Sequence, residues 1–243
     1  MTQELIRLSK RMVELGLCSR READELIEMG RVTVDGNVVD QLGSRVSAEQ
    51  KVQVSSMKMS VHKQPDRVTL LLNKPVGYAA WPEAEGKAWV DLLTSEQRDA
   101  QDKTGFVLLK KHLPHFQVPC GLDTTASGLL VLTQDGRLGR SLATENEQEY
   151  LLWFDGELSA DALKLMNSRT KFDGQLLKPY KITRQSDQQL RIVMRAGLPE
   201  FLPALCELVE IQMRSCKRIR IGRIALSSLP EGNWRFLLGN ERF

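Results

Sequence analysis

The order of apolar and polar positions divides the chain into a helical opening and a strand-rich remainder. Leu5, Ile6, Leu8, Met12, Val13 and Leu15 recur at helical spacing, and Gly16 follows where a left-handed residue would end the helix. Ser19-Arg20-Arg21-Glu22 has the spacing of a capping box, in which the serine and glutamate side chains each satisfy the other residue's backbone amide. The helix it opens carries Ala23, Leu26 and Ile27 on one side and stops at Gly30. Residues 31–39 then alternate around Asp35-Gly36, a pair that favours the tight turn of a hairpin. Two helices and a hairpin predict a small α+β unit over residues 1–60, with its core at 5–52.

Residues 55–67 are polar, include Pro65 and follow neither period, which predicts a linker. From 68 to 243 strands dominate: 68–73, 129–133, 149–154 and 189–194 read as strands. Helical spacing appears at 138–143, at 159–166 with Ser159 as its cap, and at 200–212. Residues 217–224 alternate without a break, which would set Arg218 and Arg220 on one face and turn Ile219 and Ile221 to the core. The predicted class is α+β, a small N-terminal unit followed by a larger domain with a mixed, mostly antiparallel sheet.

Composition narrows the function classes. With 42% hydrophobic and 27% charged residues the chain has a globular balance, not that of a disordered or fibrous protein. No apolar run approaches the ~20 residues of a membrane helix, and Met1 to Lys10 lacks the apolar stretch of a secretory signal. Cys18, Cys120, Cys206 and Cys216 are scattered with no CxxC pair, which suits reduced thiols in the cytoplasm. His112 and His115 flank Pro114, so they do not share a helical face for a metal, and no metal is expected. The net charge of +3 is too mild to name a partner, but its placement is not even. Lys10, Arg11, Arg20, Arg21 and Arg31 gather at helix ends and at the start of the hairpin, and residues 213–223 hold five basic residues and no acid.

In the opening unit, Arg7-Leu8-Ser9-Lys10, Gly16-Leu17-Cys18-Ser19-Arg20-Arg21-Glu22-Ala23 and Gly30-Arg31-Val32-Thr33-Val34-Asp35-Gly36 stand in the order and spacing of the S4 RNA-binding module, which the chain resembles. The resemblance implies that Lys10, Arg11, Arg20 and Arg21, with Arg31 beside them, meet RNA phosphates. Such contacts give affinity and salt dependence rather than sequence choice. Beside such a module, the basic strand with Arg218 and Arg220 reads as a second phosphate track.

One loop carries candidate chemistry: Pro119-Cys120-Gly121-Leu122-Asp123-Thr124-Thr125-Ala126-Ser127-Gly128 leads straight into an apolar strand. A carboxylate held by a short loop on a rigid sheet is a common catalytic arrangement. On the residues alone Asp123 reads either as such a group or as a turn cap, the commoner use of aspartate. Lys74-Pro75-Val76-Gly77 upstream, then Leu122-Asp123, Ser127-Gly128-Leu129-Leu130-Val131-Leu132-Thr133, Tyr150, Arg218-Ile219-Arg220-Ile221-Gly222 and Trp234-Arg235 together resemble the RsuA/RluF family of ribosomal RNA pseudouridine synthases. The resemblance implies an isomerase that moves uracil from its N1 to its C5 linkage on a flipped-out uridine of structured ribosomal RNA, without a cofactor. It implies Asp123 as the catalytic carboxylate, Tyr150 against the uracil and Lys74 among the RNA-contacting residues. A cytoplasmic monomer working on ribosomal RNA or a pre-ribosomal particle would follow.

Three positions depart from that family's pattern. Gly121 stands where it has arginine, Gln148 where it has lysine, and Pro203 where a basic residue pairs with the catalytic aspartate. Arg195, Arg214 and Lys217 are the substitutes within reach along the chain. These losses support a second reading, a non-catalytic RNA-binding paralogue that serves as a ribosomal RNA clamp or ribosome-assembly factor.

Overall fold

The computed structural model describes residues 5–54, 67–81, 85–108, 110–195 and 201–243. The linker expected at 55–67 lies outside the described residues save for Arg67. The chain forms two units: residues 1–66 with 103–116, and residues 67–102 with 117–243.

The first unit holds helices α1 (Leu8–Glu14) and α2 (Arg20–Glu28) and strands β1 (Val32–Val34), β2 (Asn37–Val39) and β3 (Val52–Val54), with β1 central. Helix α1 starts later than its apolar stripe predicts, because Ile6 and Arg7 pair with Val46 and Arg45 as a short antiparallel bridge. It ends as expected: Gly16 takes a φ of 67°, and the Leu17 amide returns to the Met12 carbonyl at 3.0 Å. The capping box is present, with the Ser19 amide donating to Glu22 Oε2 at 2.5 Å and the Glu22 amide to Ser19 Oγ at 3.4 Å. Asp35 and Gly36 both adopt positive φ, 51° and 85°, as a tight hairpin turn requires. Leu8, Met12, Leu26, Ile27, Val32 and Val34 form its core, and Val107 from the 103–116 segment packs against them. That segment, in sequence part of the larger domain, belongs to the small unit.

The second unit is built on one eight-stranded sheet. Its strands are β4 (Thr69–Lys74), β5 (Ser127–Thr133), β6 (Glu147–Asp155), β7 (Tyr180–Ser186), β8 (Gln189–Arg195), β9 (Gln212–Ile221), β10 (Ile224–Ala225) and β11 (Trp234–Phe236). Their order is β7-β8-β6-β9-β5-β4-β11, with β10 on β9. Helices α3 (Gly136–Thr144), α4 (Ala160–Asn167) and α5 (Phe201–Leu208) accompany it, and Ser159 caps α4 by accepting from the Ala162 amide at 3.0 Å. Leu70–Leu72 and Leu129–Leu132 are buried on both faces, so β4 and β5 form the middle of a two-sided core. None of the described helices is long and apolar enough to cross a membrane.

The unbroken run expected over 217–224 is in fact a hairpin. Gly222, at a φ of 55°, turns the chain so that Ile224 and Ala225 pair back onto Ile221 and Arg220.

Among the described residues the sheet contains one parallel pairing, and it is very short: Lys217 opposite Ser127 and Arg218 opposite Gly128. Gly128 sits there at a φ of 108°, and a Cβ on it would lie 2.2 Å from the Arg218 carbonyl oxygen. Only glycine lets the two backbones come this close. The seam fixes the end of the 119–128 loop to the middle of the sheet.

Candidate active site

The loop's backbone is gripped by Arg218, which is fully buried. Its Nε donates to the Leu129 carbonyl at 2.8 Å, Nη2 to Cys120 at 2.8 Å, and Nη1 to Gly121 at 3.0 Å. Nη1 also reaches Gln148 Oε1 at 3.0 Å and the Tyr150 hydroxyl at 3.5 Å. A buried guanidinium is costly unless its donors are met, and here several oxygens meet them. The phosphate track expected of Arg218 is therefore corrected: its strand lies between two others in the sheet, its side chain is fully buried, and this cation works as an internal clamp. Ile219, expected to face the core, is half-buried in its stead.

Gln148 belongs to the same arrangement. Its Oε1 accepts from both Arg218 and the Tyr150 hydroxyl, the latter at 2.6 Å. Both side chains need an acceptor there, and a lysine, with donors only, would set a second buried positive charge against Arg218. The glutamine that breaks the family pattern thus completes the network. Tyr150 lies under it, 7% exposed, with its ring centroid 5.9 Å from the Arg218 guanidinium carbon. Burial raises the tyrosine's pKa, and the neighbouring Arg218 opposes that rise.

Asp123 stands at the exposed tip of the loop. Its Oδ1 accepts from the Thr125 amide at 2.7 Å and the Thr125 hydroxyl at 2.6 Å, and the Ala126 amide bonds its carbonyl at 3.1 Å. This is the turn-capping geometry that the residues allowed, and it leaves the carboxylate open to solvent while fixing its place.

The loop after β4 docks beside it. The Gly77 amide donates to the Thr124 carbonyl at 2.7 Å, and the Lys87 amide to Gly77 at 3.0 Å. Lys74 is fully buried, its Nζ donating to the carbonyls of Pro75 at 2.9 Å and Tyr78 at 2.7 Å. Burial lowers its pKa to about 8, against the pull of the Asp123 carboxylate and with the repulsion of Arg218. Lys74 too is an interior group rather than a phosphate contact, and the Asp123 carboxylate is among the charges that act on it. Arg195 and Arg214, the candidate substitutes, are engaged elsewhere, with Glu147 at 3.7 Å and Asp155 at 3.6 Å. Lys217 is half-buried opposite Leu151 and Ser127.

Gly121 leaves a space that Trp81 fills: a Cβ at 121 would stand 1.6 Å from Trp81 Cζ2 and 2.1 Å from Cε2. Sequence reasoning missed Trp81, although the anomalous glycine two residues before Asp123 was the signal for it.

The remaining basic residues divide. Arg220 donates to Glu149 Oε2 at 2.7 Å, and Arg191 to Glu149 Oε1 at 2.6 Å. The Arg191 bond, then the Arg220 bond, hold the Glu149 carboxyl below its ordinary pKa against its burial. Arg220 is thus committed to an ion pair, not to an open phosphate track. In the small unit Arg20 and Arg21 are exposed on the first turn of α2, and Lys10 is exposed beside Glu14 at 3.8 Å. Arg11 is half-buried and donates to the Ala48 carbonyl at 2.8 Å. Arg31 is buried and donates to the Gly105 carbonyl, because the 103–116 segment closes over it. Its expected phosphate contact is corrected accordingly. Pro203 is the third residue of α5, where a helix needs no amide from it; the stretch before it, 197–200, lies outside the described residues.

Comparison with known proteins places this geometry. Residues 6–52 match the S4 domain family. An uncharacterized RNA pseudouridine synthase of Aquifex aeolicus is 30% identical over 244 residues, covering 97% of this chain and 92% of that one. The chain belongs to the RNA pseudouridine synthase family. The dual-specificity RNA pseudouridine synthase RluF of Salmonella typhi is 29% identical over 245 residues, 99% of this chain and 78% of its own. The Escherichia coli K12 RluF is 29% identical over 240 residues, 97% of this chain and 77% of its own. A crystal structure of a pseudouridylate synthase shares the fold across 96% of both chains at a TM-score of 0.58 and 18% identity. This family of isomerases accounts for the S4 domain and the sheet-dominated fold together.

Proposed function

We propose that the chain is a cytoplasmic, monomeric ribosomal RNA pseudouridine synthase in which Asp123 is the catalytic carboxylate. The observation that carries the proposal is the loop itself: an exposed aspartate held by Thr125, on a backbone clamped by Arg218, beside the buried ammonium of Lys74.

The chemistry sets clear demands. The N1–C1′ bond breaks, the uracil turns, a C5–C1′ bond forms, N1 takes up a proton and C5 loses one. A base in a duplex is out of reach, so the uridine must be extruded to meet a protruding group. The tip of a rigid loop suits that, because Asp123 stands out from the sheet while its position is fixed. Lys74 supplies a positive charge that the Asp123 carboxylate attracts, without itself facing solvent. That reduces the need for the family's cation at position 203. Lys10, Arg20 and Arg21 on the S4 domain give the salt-dependent hold on the RNA backbone.

Ribosomal RNA carrying tritium at uridine C5 tests the reading, because the C5 proton must leave for the isomerisation to finish. Native protein should release tritium to water, and Asp123→Asn should release none while binding the RNA with unchanged affinity. No release by native protein from any ribosomal RNA would overturn the catalytic reading. A large loss of affinity in Asp123→Asn would make Asp123 structural.

A further inference from the structure

We propose that Trp81 is a stacking platform for a nucleobase of the bound RNA next to the nucleotide at Asp123. The inference rests on the reading above only in taking RNA as the ligand.

Gly121 is held by its carbonyl to the buried Arg218, and the Trp81 indole lies directly over it, in the space any side chain at 121 would need. One edge of the indole thus rests on backbone that cannot readily move. Yet Trp81 is 37% exposed, and the Gly121 on which it rests is two residues before Asp123. A large apolar ring left in water beside a candidate catalytic group, and seated on a rigid support, is the arrangement by which proteins stack bases.

The other aromatic assigned to the site does not offer this. Tyr150 is 7% exposed with its hydroxyl spent on Gln148, so in this conformation its face is not available. Electrostatics separates the stacking role from a simple phosphate contact. Trp81 has no charge, so its loss should lower affinity without altering the number of counterions released. Any side chain at 121 would collide with the Trp81 ring in its present place, so the neutral ring stands where the arginine expected at 121 would begin.

The test uses the full chain, with ribosomal RNA and single-stranded oligouridylate as probes and tryptophan fluorescence as the readout. Binding should quench the native protein, and Trp81→Phe should remove most of the quench while keeping affinity within about twofold. Trp81→Ala should weaken binding about 5- to 100-fold, the range of one stacked base, with the slope of log affinity against log salt unchanged. Thermal melts of both variants should match the native protein. Full quenching in Trp81→Phe together with native affinity in Trp81→Ala would overturn the proposal. So would a lower salt slope in Trp81→Ala, which would mean that phosphate contacts had been lost instead. The Asp123→Asn protein should quench as the native one does. If native protein quenches through Trp81 but never releases tritium, the catalytic reading fails and the platform stands; if tritium release persists with native affinity in Trp81→Ala, the platform fails alone.

Discussion

The two units use the same residue types in opposite ways. In the S4 unit, Lys10, Arg20 and Arg21 are exposed and lie at or near helix starts. In the catalytic unit, Lys74 and Arg218 are fully buried and spend their protons on carbonyls. Lysine and arginine in the first unit are therefore proposed to act on a partner through long-range charge, whereas in the second they shape a loop through short hydrogen bonds. A basic stretch in a sequence does not distinguish these uses; the burial of its strand does.

Breaking the interior clamp should have the largest effect. Arg218→Ala would leave the buried carbonyls of Cys120, Gly121 and Leu129 without this donor, at a cost of roughly 3–5 kcal/mol in stability. Chemical denaturation should show this loss, and Arg218→Lys, which cannot fork across the loop, should recover only a minor part of it. A fully stable Arg218→Ala protein would show that the loop is held by something else.

Lys74 sharpens the contrast through pH. Its pKa is lowered to about 8 by burial, below its value in an unfolded chain, so the charged form is disfavoured by folding. Stability should accordingly rise as pH passes from about 8 toward the unfolded value, where the folded group has already released its proton. Activity should move the other way and decline above about 8 as the positive charge beside Asp123 disappears. Lys74→Met should remove that alkaline limb along with most of the rate, and a limb that persists in Lys74→Met belongs to another group.

The surface cations should give the smallest change per residue. Arg20→Ala with Arg21→Ala should weaken ribosomal RNA binding and flatten its salt slope by about one per lost contact, with no change in the denaturation midpoint. An unchanged slope would remove this surface of the S4 domain from RNA binding.

The parts of the fold that were legible in the sequence are those set by neighbours. The Ser19–Glu22 capping box, the Asp35-Gly36 turn, the Ser159 cap and the cores of β4, β5, β6 and β8 all depend on residues within a few positions of one another. Strand β7 (Tyr180–Ser186) was not legible, because it lies at the sheet edge and is polar along most of its exposed length. Strand β11 was too short to show a period. Asp123, Lys74 and Tyr150 were legible as candidates, Lys74 as an RNA contact and not as the buried group that it is. Their arrangement was not, since the burial of Arg218 arises from the parallel seam with Gly128, and the seating of Trp81 on Gly121 joins separate loops. Contacts of that kind have no local pattern. The changes at Gly121 and Gln148 looked like losses in one dimension, and each has a partner in three.

The most direct measurement is a pseudouridine map of ribosomal RNA from cells with the native protein, without it, and with only the Asp123→Asn form. One uridine should be modified in the first case and unmodified in both others. A map that stays the same in all three, with the protein still bound to ribosomal RNA, would contradict catalysis by Asp123 and leave the chain as an RNA clamp on a synthase fold.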